Sequence, residues 1–123
     1  MSVTFWCPDA PRESESPAAN FANMNACAVL SLLDEDVDDL YGNWDVATLA
    51  SVRQRLLVLI NSIGKYGAMA IAIFDRKETI TGGNGTTTII TCGNTSDDTL
   101  RRLQYIEEVV IYAQENSYSV SWS

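Results

Sequence analysis

The side chains in this sequence that could do chemistry are mostly carboxylates. Asp34, Glu35, Asp36, Asp38 and Asp39 crowd into six positions, and Asp45 follows. Asp34, Asp36 and Asp38 have the one-three-five spacing of a calcium loop, with Asp45 at the twelfth place. The sixth place is Asp39, where such a loop needs glycine for its sharp turn. The twelfth is an aspartate, where the longer glutamate would bind both its oxygens to the ion. The pattern therefore departs from a calcium loop at two places, which makes calcium the least favoured of three readings. The other two are a solvated helix end and an acidic patch for a partner.

The chain has no histidine. That removes Ser-His-Asp and Cys-His catalysis, imidazole-ligated metals and histidine pH switching within one chain. The three cysteines, Cys7, Cys27 and Cys92, are far apart and form no Cys-x-x-Cys pair, so neither a disulfide framework nor a cysteine zinc site is expected. They read as buried thiols. Two carboxylates from distant segments could still form a hydrolytic pair, but nothing in the spacing nominates one. No catalytic residue, metal or cofactor is assigned. The Gly82-Gly83-Asn84-Gly85 segment resembles a phosphate cradle only in composition. No Gly-Lys-Ser/Thr follows it, and β-branched residues flank it on both sides, so a hairpin turn is expected.

Charge separates the chain into two parts. The formal net charge is −8. Residues 1–50 hold nine acidic residues and one basic residue, while residues 51–123 hold seven of each. The whole imbalance lies in the first part. Direct binding to a phosphate backbone is disfavoured, and a basic protein surface would be attracted. The expected contact set is Glu13, Glu15, Asp34, Glu35, Asp36, Asp38 and Asp39. Arg53, Arg55, Arg101 and Arg102 either pair with these acids or offer an anion site on a helix face. Trp6, Trp44 and Trp122 read as core or interface aromatics.

The elements that must position these groups follow from hydrophobic period. With 46% apolar residues in 123, a single domain with a real core is expected. Residues 1–19 form an extended, loop-rich start in which Val3-Thr4-Phe5-Trp6 is β-prone. Residues 20–63 carry two helices, one over 20–33 with Asn20 as its cap, and one over 45–63 ended by Gly64. Gly42-Asn43 between them reads as a turn. Residues 68–92 read as a β-hairpin or meander, because large and small residues alternate from Ala68 to Phe74. Residues 95–116 form a long helix with Leu100, Leu103, Ile106, Val110 and Ala113 on one face. Residues 118–122 form a terminal strand that neighbours the first. The expected class is α+β, with three helices packed on a small, mainly antiparallel sheet. Tyr105, Ile111 and Tyr112 lie off the apolar stripe of the long helix, so the helix is expected either to be central to the core or to share these residues with a second copy in a homodimer. No stretch approaches the ~20 apolar residues of a membrane helix, and no secretory signal is visible, so a cytoplasmic location is expected.

The opening Val3-Thr4-Phe5-Trp6-Cys7-Pro8-Asp9-Ala10-Pro11, the stretch Asn20-Phe21-Ala22-Asn23-Met24-Asn25-Ala26 and the closing Val120-Ser121-Trp122 resemble a group of small accessory proteins from bacterial and bacteriophage genomes. Members of that group often carry paired cysteines between the proline-rich opening and the asparagine-rich helix. This chain has none there, so a metal role in relatives does not carry over. The resemblance implies a phage or mobile-element accessory protein and supplies no activity of its own. Together with the negative charge before residue 50 in a chain without histidine or a catalytic motif, the expectation is a non-enzymatic protein that binds and inhibits or modulates a host nucleic-acid-handling protein, as anti-CRISPR and other anti-defence inhibitors do. The alternative from the residues is a small-ligand or metal-binding domain, with carboxylate-dependent catalysis as its furthest extension.

Overall fold

Alternation governs the first strand. In β1 (Ser2–Trp6) Val3 and Phe5 are buried, while Ser2, Thr4 and Trp6 face outward, the two-residue period of a strand with one covered face. The computed structural model describes residues 2–11, 16–35, 40–74 and 96–123. Within these, β1 is followed by β2 (Ala19–Ala22), α1 (Asn23–Leu32), β3 (Gly42–Trp44), α2 (Leu49–Tyr66), α3 (Ala68–Phe74), α4 (Ser96–Asn116) and β4 (Val120–Trp122). The four strands make one antiparallel sheet in the order β2-β1-β4-β3. The two ends of the chain therefore lie side by side at its centre.

The buried face of the sheet is aromatic. The Phe5 ring lies 5.9 Å from Phe21, 6.0 Å from Trp44 and 5.7 Å from Trp122, and the two indoles are 4.6 Å apart. Each of these residues comes from a different strand, so the cluster fixes register as well as burying area. Helix α4 covers this face with Leu103, Ile106, Val109, Val110 and Ala113 buried. It also runs along α2, which buries Leu49, Leu56, Leu59 and Ile63.

The described residues hold four helices, not three, which corrects the expected architecture. The additional one is α3, where the alternation over 68–74 pointed to a strand. Alanine occupies every second position there, and it is the strongest helix former and a poor strand residue. Gly67, at φ 63°, ends α2 and redirects the backbone, and the Ala70 N–H returns to the Gly67 carbonyl at 3.1 Å. Ala70 and Ile71 are then buried.

Three other boundaries shift for local reasons. Residues 19–22 are a strand, because Phe21 belongs to the aromatic cluster and Asn20 donates from Nδ2 to the Ser2 hydroxyl at 3.1 Å and the Thr4 hydroxyl at 2.7 Å. Asn20 is thus a cross-strand tie and not a helix cap. Gly42-Asn43 opens a strand: a Cβ on Gly42 would collide with the Trp122 indole, and Asn43 Nδ2 donates to the Ser121 hydroxyl at 2.8 Å. Helix α2 continues through Gly64 to Tyr66, and it starts at Leu49 because Asp45 closes the preceding turn. Asp45 Oδ1 accepts from the Thr48 N–H at 2.8 Å and the Thr48 hydroxyl at 2.7 Å. The expected hairpin around Gly82 to Gly85, and Cys92, lie outside the described residues.

Candidate functional site

The acidic run begins where α1 ends. Leu33 closes the helix, and the next residue, Asp34, takes the left-handed conformation at φ 66°. Its N–H bonds the Ser31 carbonyl at 3.1 Å, and the Glu35 N–H bonds the Leu30 carbonyl at 2.9 Å. These are the paired bonds of a Schellman termination, in which glycine usually holds the left-handed place. Aspartate tolerates that conformation better than most residues. The turn leaves Asp34 exposed and swings Glu35 back, so that its Oε1 accepts from Trp44 Nε1 at 2.8 Å. Trp44 is 2% exposed. Glu35 is therefore built into the fold as the acceptor of a buried indole. Glu13, Glu15, Asp36, Asp38 and Asp39 lie outside the described residues.

Two more acids of the first part are engaged locally. Asp9 Oδ2 accepts from the Ser119 N–H at 2.8 Å and the Ser119 hydroxyl at 2.9 Å, which holds the Cys7–Ala10 turn against the lead into β4. The backbone bond from Ser119, and then its hydroxyl, lower the Asp9 carboxyl below its ordinary range. Thr48 does the same for Asp45, through its hydroxyl first and then its N–H. The bases that follow in sequence turn inward. Arg53 donates to Gln114 Oε1 at 3.0 Å, and Arg55 Nε donates to the Leu32 carbonyl at 3.2 Å.

The thiols show no activating environment among the described residues. Cys7 is buried, with its sulfur 3.9 Å from the Val109 carbonyl, and burial first, then the Asp9 charge, push its pKa up. A thiol held protonated is a poor nucleophile. Cys27 is half-buried on α1. Among the described residues no three His, Cys, Asp or Glu side chains are grouped to hold a metal ion.

The residues left over on α4 go to different places. Tyr105 is 47% exposed and lines a cleft beside β2. Tyr112 is half-buried with its ring 6.0 Å from Tyr118, and Ile111 is half-buried.

Two clefts are bounded by described residues. The first, of about 370 Å³, runs between β2 and α4, with Ala18 and Asn20 on one wall and Asp98, Arg101, Arg102 and Tyr105 on the other. Those four helix residues are spaced three, four and seven apart, which puts them on one face. Arg101 and Asp98 approach to 3.7 Å. The second cleft, of about 240 Å³, lies between Leu33-Asp34 and Ser51, Val52 and Arg55 of α2. The first had a signal in the sequence: its polar stripe sits on α4 beside the apolar one. Its other wall depends on β2 being a strand, which the Asn20 reading concealed.

Comparison with known protein families, with characterised proteins and with solved structures finds no match to this chain. Among the described residues no helix is long and apolar enough to cross a membrane.

Proposed function

We propose that this chain is a non-enzymatic binding protein of the phage or mobile-element kind, acting in the cytoplasm on a basic, nucleic-acid-handling host protein in the manner of an anti-CRISPR or other anti-defence inhibitor. The observation that carries the reading is the charge distribution. The net −8 falls wholly within residues 1–50. An acidic surface of this kind competes with nucleic acid for a basic groove, because both offer closely spaced negative charge to the same Lys and Arg side chains. Glu13, Glu15, Asp34, Asp36, Asp38 and Asp39 are the contact residues. Glu35 contributes charge, but its carboxylate is first an acceptor for Trp44.

The test is competition. Nucleic-acid binding by a panel of purified nuclease effectors is measured with and without this protein, at low and at physiological salt. Inhibition of at least one effector is expected, weakening as salt rises and weakening again in an Asp36→Asn/Asp38→Asn/Asp39→Asn variant. Inhibition that ignores both salt and the neutralised acids would refute an electrostatic mimic, and no inhibition across the panel would refute the target class.

A further inference from the structure

Helix α2 has two faces of different character. Leu49, Leu56, Leu59 and Ile63 are buried toward α4 and the core. Ala50, Gln54, Leu57, Val58, Asn61 and Lys65 recur at three- and four-residue steps on the other side, and all six are exposed. Leu57 is 43% exposed and Val58 48%. A single aliphatic residue at a surface needs no explanation, but two in sequence at the middle of a helix make a patch. The face around them is uncharged from Ala50 to Asn61. The two arginines within that span lie on its flanks, where Arg53 donates to Gln114 Oε1 and Arg55 Nε to the Leu32 carbonyl.

Charge decides what can cover this face. The chain has a net charge of −8, yet α2 contains no aspartate or glutamate, whereas α4 contains five acidic residues. Two copies meeting through α2 therefore bring no acid of that helix against another. A strongly acidic or basic partner would find no opposite charge at Ala50, Gln54, Leu57, Val58 or Asn61. The complementary surface is one that is itself uncharged, aliphatic at its centre and amide-bearing on either side. The same helix in a second copy has that composition.

The order of the residues also fits a two-fold axis. Two α2 helices can lie antiparallel with the axis between Leu57 and Val58, which places each side chain level with the one equally far from the axis on the other helix. Leu57 and Val58 then meet their own copies. Gln54 is level with Asn61 of the second copy, and each amide has both a donor and an acceptor to offer. Lys65 is level with Ala50 of the second copy, where its methylene stem can cover the methyl group while the ammonium, 5.3 Å from the Tyr66 ring centroid, keeps to the rim. The antiparallel sense opposes the two helix dipoles, and it holds the two Lys65 charges at opposite ends. A parallel pair would align the dipoles and set Lys65 beside Lys65.

We infer that the outward face of α2 is a two-fold interface through which this chain pairs with a second copy of itself, helix against antiparallel helix. The 18 residues of α2 make a helix about 27 Å long, so its one face buries less than the roughly 800 Å² per partner of a standard interface. The pairing is therefore weak and reversible. It is separate from the acidic contact set, and salt acts on the two with opposite sign. Screening weakens the attraction of acids to a basic partner, whereas it relieves the repulsion between two chains of −8 and so strengthens the pairing.

Sedimentation velocity of the purified protein, from low micromolar to millimolar concentration and from low to high salt, reads the association. A reversible monomer–dimer equilibrium that tightens with salt is expected. Leu57→Lys and Val58→Lys each set a charge against its own copy and should weaken pairing at least about tenfold, while Tyr105→Lys on α4 should leave it unchanged. Two double variants test the register at physiological salt. Gln54→Glu/Asn61→Lys places opposite charges level with one another twice and should pair more tightly than the parent. Gln54→Lys/Asn61→Lys places like charges there and should stay monomeric. All of these changes fall at exposed positions, and circular dichroism checks each fold. A monomer at every concentration and salt overturns the proposal while leaving the acidic contact set untouched. Pairing that survives both Leu57→Lys and Val58→Lys, pairing lost with Tyr105→Lys, or a Glu/Lys double variant that pairs as poorly as the Lys/Lys one would overturn it as well.

Discussion

The bond between Glu35 and Trp44 separates the structural from the interactive role of the acidic run, and its strength can be worked out. Trp44 is 2% exposed and its indole N–H has Glu35 Oε1 at 2.8 Å. Glu35→Leu removes the acceptor and leaves the donor buried. A bond to a charged acceptor contributes about 1.5–3 kcal/mol, and an orphaned buried donor costs about 1–3 kcal/mol as one view of the same loss. Glu35 is half-buried, so water can reach part of the vacated space, and the expected loss is about 2 kcal/mol. Glu35→Gln keeps an oxygen in place and should cost less than about 1 kcal/mol. The assay is urea unfolding at neutral pH, read as a shift in midpoint at constant slope. Glu35 has other contacts, so the decisive comparison is a double-mutant cycle. In a Trp44→Phe background the donor is gone, and Glu35→Leu should then cost at least about 1 kcal/mol less than it does in the parent. An equal cost in both backgrounds, or glutamine as damaging as leucine, would refute the reasoning and return Glu35 to the set of solvated acids.

Other outcomes follow from the same geometry. Asp34→Gly should raise stability by up to about 1 kcal/mol, because glycine takes the left-handed place without strain. Chemical denaturation measures it, and a loss would contradict the Schellman assignment. Gly42→Ala should destabilise by more than about 2 kcal/mol, because its Cβ meets the Trp122 indole within a packed aromatic cluster. A small change in the thermal midpoint would show that the ring can yield. For Asp9 the folded carboxyl lies below its ordinary value of 3.8, held there by Ser119. Its contribution is present above that value and is lost as pH falls through the lowered folded one, so Asp9→Asn should flatten the acid limb of a stability-against-pH curve and leave the neutral region level with the shifted baseline.

How much of this was legible in the sequence depends on where the decisive contact lies. Helix α4 was readable because its stripe is local: Leu103, Ile106, Val110 and Ala113 recur at helical spacing and all are buried. The pairing of the chain ends was readable because both alternate. Strand β2 was not, because Asn20 acts through Ser2 and Thr4, eighteen and sixteen residues away, whereas its local chemistry favours a cap. Residues 68–74 misled for the opposite reason. A two-residue alternation of alanine with larger residues satisfies the strand pattern, yet alanine at every second position is a helical composition, and the reversal at Gly67 decided between them. The acidic run was visible as charge, but the partition of its members was not. Asp34 ends a helix and Glu35 serves an indole nine residues on, and neither role leaves a mark in spacing.

That partition bears on the acidic contact set proposed above. Attraction of a basic partner to those residues should decline steadily as salt shortens the screening length from about 10 Å at 0.1 M to about 3 Å at 1 M. Neutralising Asp36, Asp38 and Asp39 should weaken that binding and flatten its salt dependence. If affinity falls while the salt dependence stays as it was, the change lies in the fold and not in the field around it, and Glu35, which serves Trp44, would be the first residue to inspect.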